Sequence, residues 1–217
     1  MLARHTSTAK FISRKLAMRF VSDDPPQALV DEMARTFEKT DGDIKEVLRT
    51  MFRSREFWAP NTYRAKVKTP LEFVVSAVRA TGADIQNAQP LVRFLQQSGM
   101  QPYGAQPPTG YSTKADAWVN SGALLARLNF ALGLGVGKLP GIAMDPQALL
   151  GTRAPEDAPG VQASLEDTLL AGEISKQTHD TIRKQMVDPQ LTGVSQKTVP
   201  PGVIAGLILG SPEFQRR

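Results

Sequence analysis

Hydrophobic residues recur along most of this chain at the spacing of amphipathic helices. Near its start, Ile12, Leu16 and Phe20 follow one another at four-residue intervals, which places them on one face of a helix. No convincing strand alternation occurs, and no Asn-Gly or Asp-Gly turn joins two alternating runs. The pattern predicts an all-α fold, a bundle-like array of about 8–10 helices. The main helices are expected at about 7–21, 25–39, 44–58, 70–81, 87–98, 121–132, 164–172, 175–187 and from 200 onward, with short candidates at 113–119 and 146–150.

Polar side chains stand where several of these helices are expected to begin. An oxygen at the N-cap can accept a hydrogen bond from an otherwise unpaired backbone N–H of the first turn. Pro25 and Pro26 suit the first turn of the second helix, where a missing N–H does no harm. The candidate caps are Thr6 or Ser7, Asp23 or Asp24, Asp41 or Asp43, Ser164 and Ser175.

Glycine and proline divide the chain into three parts. Residues 1–132 form a predicted helical domain that includes a long Pro/Gly/aromatic loop at 100–112. Residues 133–163 are rich in glycine and proline and predict a loose connector. Residues 164–217 resume the helical pattern, and we expect these C-terminal helices to pack on the same body.

Two helix ends share a short sequence. Segments 54–57 and 211–214 both read Ser-x-Glu-Phe, and each follows an apolar helix with matching hydrophobic positions. We expect each phenylalanine to fold back into the core, while the glutamate stays in solvent or pairs locally. Two copies do not predict a solenoid.

Composition changes the picture mainly through charge. Residues 1–70 contain 14 Lys and Arg against 9 Asp and Glu, whereas residues 71–217 contain 12 of each. A basic first third is compatible with nucleic-acid binding, but a solvated helical surface explains interleaved charges as well.

No run of residues is long and apolar enough to span a membrane. The basic N-terminus lacks the apolar core of a signal peptide, and its abrupt helical start indicates a fragment of a longer protein.

Several common chemistries have no support in the sequence. There is no cysteine, which excludes disulfides, zinc ribbons and cysteine nucleophiles. The glycine-rich segment 133–139 lacks the first glycine and the final Ser or Thr of a phosphate loop. His179 and Asp180 are adjacent on a predicted helix and diverge by about 100°, so we expect His179 to be a solvated surface residue. His5 is expected to have a structural role near the first helix. We therefore predict no catalytic residue, no metal ligand and no cofactor.

The stretch 101–130 offers the best candidate binding site. Tyr103, Tyr111 and Trp118 lie within 16 residues, in a chain with only 3 Tyr and 2 Trp. Prolines stiffen the loop, so these aromatic residues could contact a sugar, a peptide or a partner, or they could fix a long loop to the helical body. Asn120, Arg127 and Asn129 follow, and Arg127 is expected at the edge of a buried helix face, where it could neutralise a carboxylate.

Several segments, taken in order, resemble the C-terminal portion of the bacterial "domain of unknown function 1800" family. They are HTSTAKFISRKLAMRFVSDDPP, DGDIKEVLRTMFRSREFW, KVKTPLEFVVSAVRATG, QPYGAQPPTGY, AWVNSGALLARLNFA and SPEFQRR. The match covers most of the chain and is weakest across 133–165. The chain departs from the family pattern at Thr6 and Arg55, where proline is common.

The resemblance implies a largely helical protein that is often exported and often encoded near a sulfatase-like protein. It implies no established activity, cofactor or catalytic residue. Motif positions and the loop together give the candidate binding residues His5, Arg14, Tyr103, Tyr111, Trp118, Asn120, Arg127 and Asn129.

Three functions remain open from the sequence. The first is a helical binding module of an exported protein that acts with a partner protein, such as the sulfatase-like neighbour. The second is part of an enzyme, such as a hydrolase, whose active site is completed by a missing N-terminal region. The third is nucleic-acid binding through the basic first third.

Overall fold

Helices make up nearly all of the regular structure of this protein. The computed structural model describes residues 2–151, 155, 157–187 and 199–217, and this part contains ten α-helices and one sheet of two short strands. The prediction of an all-α array is confirmed. By their contacts the residues form two compact units. Unit 1 comprises Met1–Val67, Ser112–Ala117 and Arg217, and unit 2 comprises Lys68–Tyr111 and Trp118–Arg216.

Unit 1 is built on three helices. They are α1 (Thr6–Phe20), α2 (Gln27–Lys39) and α3 (Ile44–Arg53), with single 3-10 turns at Leu2–Arg4 and Ala115–Ala117. The fully buried face of α1 consists of Ala9, Ser13 and Ala17, whereas Phe20 of the predicted stripe is 44% exposed. Small side chains let α1 and α2 approach closely, so the larger residues beside them only border the core. The unit 1 core comprises Ala9, Ala17, Val21, Leu29, Val30, Met33, Ala34, Phe37, Val47 and Met51.

Unit 2 holds the remaining helices and the sheet. Strands β1 (Asp84–Ile85) and β2 (Ile142–Ala143) pair antiparallel, and two residues each are too few for sequence alternation to reveal. The helices are α4 (Pro70–Thr81), α5 (Gln89–Gln97), α6 (Ser121–Gly135), α7 (Pro146–Leu150), α8 (Ala158–Leu170), α9 (Lys176–Val187) and α10 (Pro201–Leu209). Helix α8 begins six residues before the predicted start at 164, so Ser164 is not its cap.

Helix α10 lies at the centre of unit 2. It is apolar all round, and residues 204–209 are all buried, as expected for a helix enclosed by others. It packs on α6 with an unusually close backbone approach: a Cβ added to Gly135 would lie 2.0 Å from the carbonyl oxygen of Gly202. Gly135, which the sequence places in a loose connector, is therefore part of a tight helix contact.

The capping predictions have mixed outcomes. Asp43 caps α3 by accepting hydrogen bonds from the N–H groups of Lys45 and Glu46, and the Ser175 hydroxyl accepts one from Thr178. At α1, by contrast, the cap is His5 rather than Thr6 or Ser7. Neither Asp23 nor Asp24 caps α2, whose N-cap residue is Pro26 with no side-chain hydrogen bond. Asp23 is engaged elsewhere, as shown below.

The two Ser-x-Glu-Phe segments form the same turn. The Ser54 hydroxyl accepts a hydrogen bond from the Phe57 N–H at 3.2 Å, and the Ser211 hydroxyl accepts one from the Phe214 N–H at 3.3 Å. Phe57 packs against the unit 1 core, and Phe214 is buried in unit 2, as the sequence predicts. Glu213 does more than pair locally, because it accepts hydrogen bonds at the start of α9.

A buried lysine organises unit 1 around Asp23. The Lys66 side chain is only 3% exposed, forms an ion pair with Asp23 and donates a hydrogen bond to the Thr113 carbonyl. The second Asp23 oxygen accepts a hydrogen bond from the Ala115 N–H at 2.7 Å. Burial alone would raise the pKa of Asp23, but the Ala115 N–H and the Lys66 ammonium outweigh it and hold the pKa below its ordinary value.

We expect Asp23→Asn to destabilise unit 1 by about 2 kcal/mol at neutral pH, because the Lys66 ammonium would stay buried without a counter-charge. The folded-state pKa of Asp23 is lowered, so its stabilisation is complete above the ordinary value of 3.8 and is lost as pH falls through the lower folded value. Urea unfolding followed by far-UV circular dichroism should therefore show a gap between wild type and variant that closes in acid.

Asp24→Asn is the matched control for this experiment. Asp24 is exposed and lies 3.3 Å from Arg14, and a surface pair of this kind contributes less than about 1 kcal/mol. Equal losses from the two substitutions, or a gap that persists in acid, would contradict the assigned role of Asp23.

Candidate functional site

Two aromatic residues fasten the loop at 100–112 within unit 2. The Tyr111 hydroxyl donates a hydrogen bond to the Gln101 carbonyl at 2.7 Å. The Tyr111 ring meets Trp118 edge-on, with 6.2 Å between ring centroids, and Trp118 is buried. Through these contacts, both residues hold the loop in place. Their part in binding stays a prediction.

Tyr103 differs from the other aromatic residues of this loop. Its side chain is fully exposed, and its backbone has a φ of 59°, in the left-handed region that non-glycine residues rarely adopt. A loop held at Gln101 and Tyr111 thus presents Tyr103 to solvent. Of the three predicted aromatic contacts, this is the one whose ring is free to meet a ligand.

Three other candidates have local structural partners. His5 caps α1, its Nδ1 accepting a hydrogen bond from the Ser7 N–H at 3.1 Å, which confirms the expected structural role. Arg14 forms an exposed ion pair with Asp24. Asn120 caps α6 by accepting a hydrogen bond from the N–H of Ala123.

Arg127 is buried more deeply than the sequence indicates. Only 1% of it is exposed, and its guanidinium donates hydrogen bonds to the Lys68 carbonyl at 2.8 Å and to Gln215 Oε1 at 3.3 Å. The guanidinium also lies 5.4 Å from the centroid of the Phe73 ring. Burial lowers the pKa of Arg127, and no carboxylate pairs with it within the residues that the structure describes. Its partners are the neutral oxygens of two other segments of unit 2.

Asn129, another predicted candidate, lines a sizeable cavity. The cavity, hereafter the cleft, has a volume of about 530 Å³ and lies within unit 2. Its described lining contains four amide side chains, one guanidinium, several apolar residues and no carboxylate. These residues are Asn87, Gln89, Pro90, Arg93, Phe94, Gln97, Ala126, Asn129, Phe130, Leu139 and Pro140.

The rim of the cleft is fixed by backbone contacts. The Gly141 carbonyl accepts hydrogen bonds from the N–H groups of Gln86 and Asn87, next to the β1–β2 pair. Gly141 has a φ of 73°, and a Cβ there would lie 2.5 Å from that of Asn87. Asn87 Oδ1 in turn accepts a hydrogen bond from the Gln89 N–H at the start of α5. Only glycine lets these two rim segments join so closely.

Sequence reasoning missed a carboxylate–histidine pair. Glu166 on α8 is buried, and its Oε2 lies 2.8 Å from Nδ1 of His179 on α9, whose side chain is 32% exposed. Gln162 donates hydrogen bonds to Glu166 Oε1 and to the His179 carbonyl. His179 is therefore not the freely solvated residue that its neighbour Asp180 suggested. The signal available in the sequence was the pair Gln162 and Glu166, two polar residues four positions apart on an otherwise apolar helix.

This pair lacks the groups that would make it a reaction centre. A carboxylate and the imidazole that it orients are two of the three members of a hydrolytic triad, which also needs a nucleophile within reach of the second ring nitrogen. Across the described ranges, no hydroxyl is hydrogen-bonded to His179, and no three His, Asp or Glu residues are grouped to hold a metal. The contacts that are present join α8 to α9.

Sequence reasoning also missed a contiguous set of aromatic rings on unit 1, hereafter the aromatic surface: Phe20, Phe52, Phe57 and Trp58. Neighbouring rings meet edge-on, with centroids 6.0 Å apart for Phe20–Phe52, 5.0 Å for Phe52–Phe57 and 5.1 Å for Phe57–Trp58. Phe20 and Phe52 are 44% and 41% exposed, and Trp58 is exposed over most of its surface. The signal was present, since 52–63 holds four aromatic residues, but counting only Tyr and Trp drew attention to the loop at 100–112.

Trp58 is exposed and yet held in place. Trp58 is 73% exposed, and its indole N–H donates a hydrogen bond to the Phe52 carbonyl at 2.7 Å. The polar edge of the ring is thus satisfied within the protein, and the apolar face is left to solvent. Arg53 and Arg55 are close to Phe52 and Phe57 in sequence. Both arginines are exposed and form no ion pair with any residue that the structure describes.

Comparison with known proteins identifies a family and nothing narrower. No curated protein and no solved structure matches the chain. None of the helices described here has both the length and the hydropathy of a membrane-spanning segment. The model of one family, described as "Protein of unknown function (DUF1800)", matches residues 1–216. The chain therefore belongs to the DUF1800 family.

Proposed function

We propose that this chain is a helical binding module that docks on a partner protein through the aromatic surface of unit 1. The observation that carries the proposal is Trp58, exposed but fixed by its hydrogen bond to the Phe52 carbonyl. Exposed contiguous apolar patches mark interaction sites, and tryptophan is among the residues most enriched in their energetic centres. A ring that is already ordered loses little conformational entropy on binding.

The charges beside the aromatic surface indicate the chemistry of the partner. Arg53 and Arg55 lie between Phe52 and Phe57 in sequence, and the whole net charge of +5 is found in the first 70 residues. We infer an acidic partner surface with an apolar centre, because opposite charges at the rim speed association and set orientation. The family resemblance supports an exported bacterial protein and a sulfatase-like partner.

The test uses as its probe a sulfatase-like protein of the kind that the family resemblance implies as a partner. Binding of the full chain is measured by biolayer interferometry for wild type, Trp58→Ala and Phe52→Ala. We expect each substitution to weaken binding about 30-fold or more, the effect of losing an interface hot spot of about 2 kcal/mol. Far-UV circular dichroism and urea unfolding confirm that the variants remain folded.

Phe11→Ala is the matched control. Phe11 is a comparably exposed aromatic residue of unit 1, nine positions before Phe20 on α1, which is about 13 Å along the helix axis. Its substitution should change affinity less than about twofold. Wild-type binding by Trp58→Ala, or equal losses from Phe11→Ala, would refute the docking surface. Stronger binding to a single-stranded oligonucleotide than to any protein probe would favour the nucleic-acid alternative instead.

A further inference from the structure

The cleft of unit 2 has the size of a small-molecule site. Its volume of about 530 Å³ falls within the range of about 300–1,000 Å³ typical of ligand pockets. Two phenylalanines, Phe94 and Phe130, are part of its lining, with ring centroids 4.7 Å apart, and both are buried. Pro90, Leu139 and Pro140 add apolar surface around them. A ligand there would contact the apolar side chains of these five residues.

The polar groups of the cleft have unused hydrogen-bonding capacity. In the part of the chain that the structure describes, the side chains of Arg93, Gln97 and Asn129 form no hydrogen bond and no ion pair. Asn87 uses only its amide oxygen, on the Gln89 N–H. Four amide side chains thus face a ligand with donors and acceptors together, which is the pattern that hydroxyl groups match, since each hydroxyl both donates and accepts.

The charge of the cleft lining has one sign. Arg93 is its only charged residue among those described, and no aspartate or glutamate lines it. An arginine without an internal partner can bind a carboxylate through two parallel hydrogen bonds. The cleft therefore favours an anionic ligand over a neutral or cationic one.

We propose that the cleft is a binding site for an acidic sugar, with Arg93 on the carboxylate and the amides of Asn87, Gln97 and Asn129 on ring hydroxyls. Apolar C–H faces of the sugar rest on Pro90, Leu139 and Pro140. The rim is preorganised, because Gly141 joins it to Asn87 through backbone hydrogen bonds. This site lies in unit 2 and is independent of the aromatic surface of unit 1.

The experiment titrates the ¹⁵N-labelled full chain with digalacturonate and, separately, with the neutral disaccharide of galactose. Side-chain NH₂ signals of Asn87, Gln89, Gln97 and Asn129 report directly on the cleft. We expect them to shift with digalacturonate at a dissociation constant of about 1 mM or tighter, and the neutral disaccharide to bind about 10-fold more weakly.

Two substitutions test the assignment of charge. Arg93→Gln removes the guanidinium, and Asn129→Asp places a carboxylate in the lining with almost no change of shape. Each should weaken digalacturonate binding about 10-fold or more. Arg93→Gln should also leave binding of the neutral disaccharide within about twofold, because that sugar has no carboxylate for the guanidinium to bind. Both residues are exposed, so the fold should persist, which the unchanged pattern of remaining backbone signals verifies. Arg183 is an exposed residue of α9 outside the cleft, so Arg183→Gln makes the same charge change and should have no effect.

Four results would each overturn the proposal. The first is an absence of shifts in the four amide signals with digalacturonate. The second is equal affinity for the acidic and neutral disaccharides. The third is an equal effect of Arg93→Gln and Arg183→Gln. Preferential binding of an acidic dipeptide at the same amides would also replace the sugar with a peptide as the occupant.

Discussion

Gly135→Ala is expected to cost unit 2 at least about 3 kcal/mol, because the new methyl group would lie 2.0 Å from the carbonyl oxygen of Gly202. The obstacle is backbone, so no side-chain rotation can relieve it, and α6 and α10 would have to separate. Gly202→Ala meets the carbonyl of Gly135 at the same distance and should behave alike. A loss of this size is a large part of the stability of a small domain.

Tryptophan fluorescence can follow this loss in unit 2 alone. The chain has two tryptophans, Trp58 in unit 1 and Trp118 in unit 2, so a Trp58→Phe background leaves Trp118 as the reporter. Trp118 is buried, and its emission should change on unfolding. Guanidinium unfolding in this background then gives the free energy of unfolding of unit 2 for each variant.

Two further glycines supply a graded series. A Cβ at Gly206 would lie 2.9 Å from the Leu132 Cα, a smaller overlap, and should cost about 1–2 kcal/mol. A Cβ at Gly133, also on α6, would meet only the Leu139 side chain at 3.4 Å. Gly133→Ala should raise stability by about 0.5–1 kcal/mol through helix propensity. Any other order would show that α6 and α10 do not approach as described.

Arg127→Ala is expected to destabilise unit 2 by about 4 kcal/mol. The substitution empties a large buried volume and leaves the Lys68 carbonyl and Gln215 Oε1 without their donor. The same fluorescence measurement applies. It separates a structural arginine from a ligand-binding one, because a residue used only for binding would leave the unfolding midpoint almost unchanged.

Arg127→Met separates packing from charge. Methionine fills most of the arginine stem's space and removes the cost of burying a guanidinium without a counter-ion, but it donates no hydrogen bond. We expect it to lose no more than about half of what Arg127→Ala loses. If both variants lost equally, the hydrogen bonds to Lys68 and Gln215 would be the dominant contribution rather than the volume.

Much of the fold follows from short-range patterns. Helical periodicity located the main helices, and the Ser-x-Glu-Phe turns at 54–57 and 211–214 were predicted because their hydrogen bonds lie within four residues. The start of α8 was misplaced because the glycine and proline of 158–160 can begin a helix as well as interrupt one. Asp23 looked like a helix cap, yet its partners Lys66 and Ala115 are 43 and 92 residues away.

The candidate site was harder to predict than the fold. Asn129 was selected for its position after Arg127, and nothing in its neighbours indicated that Arg93 and Asn87 would share a cleft with it. The aromatic surface combines α1 with α3 and the turn after it, so only part of it is adjacent in sequence. The sequence left open whether Tyr111 and Trp118 contact a ligand or hold the loop in place. Only the tertiary structure shows the partners through which they hold it.

The sequence by itself determined the helical class, most helix boundaries, several caps and membership of the DUF1800 family. These depend on hydrogen bonds and side-chain periodicity within a few residues, which short segments encode. Only the tertiary structure decided the contact of Gly135 with Gly202, the burial of Arg127 and the grouping of residues 87–97 with 126–140 around one cleft. Each of these brings distant segments together, and their distances are set by how all the buried side chains pack at once.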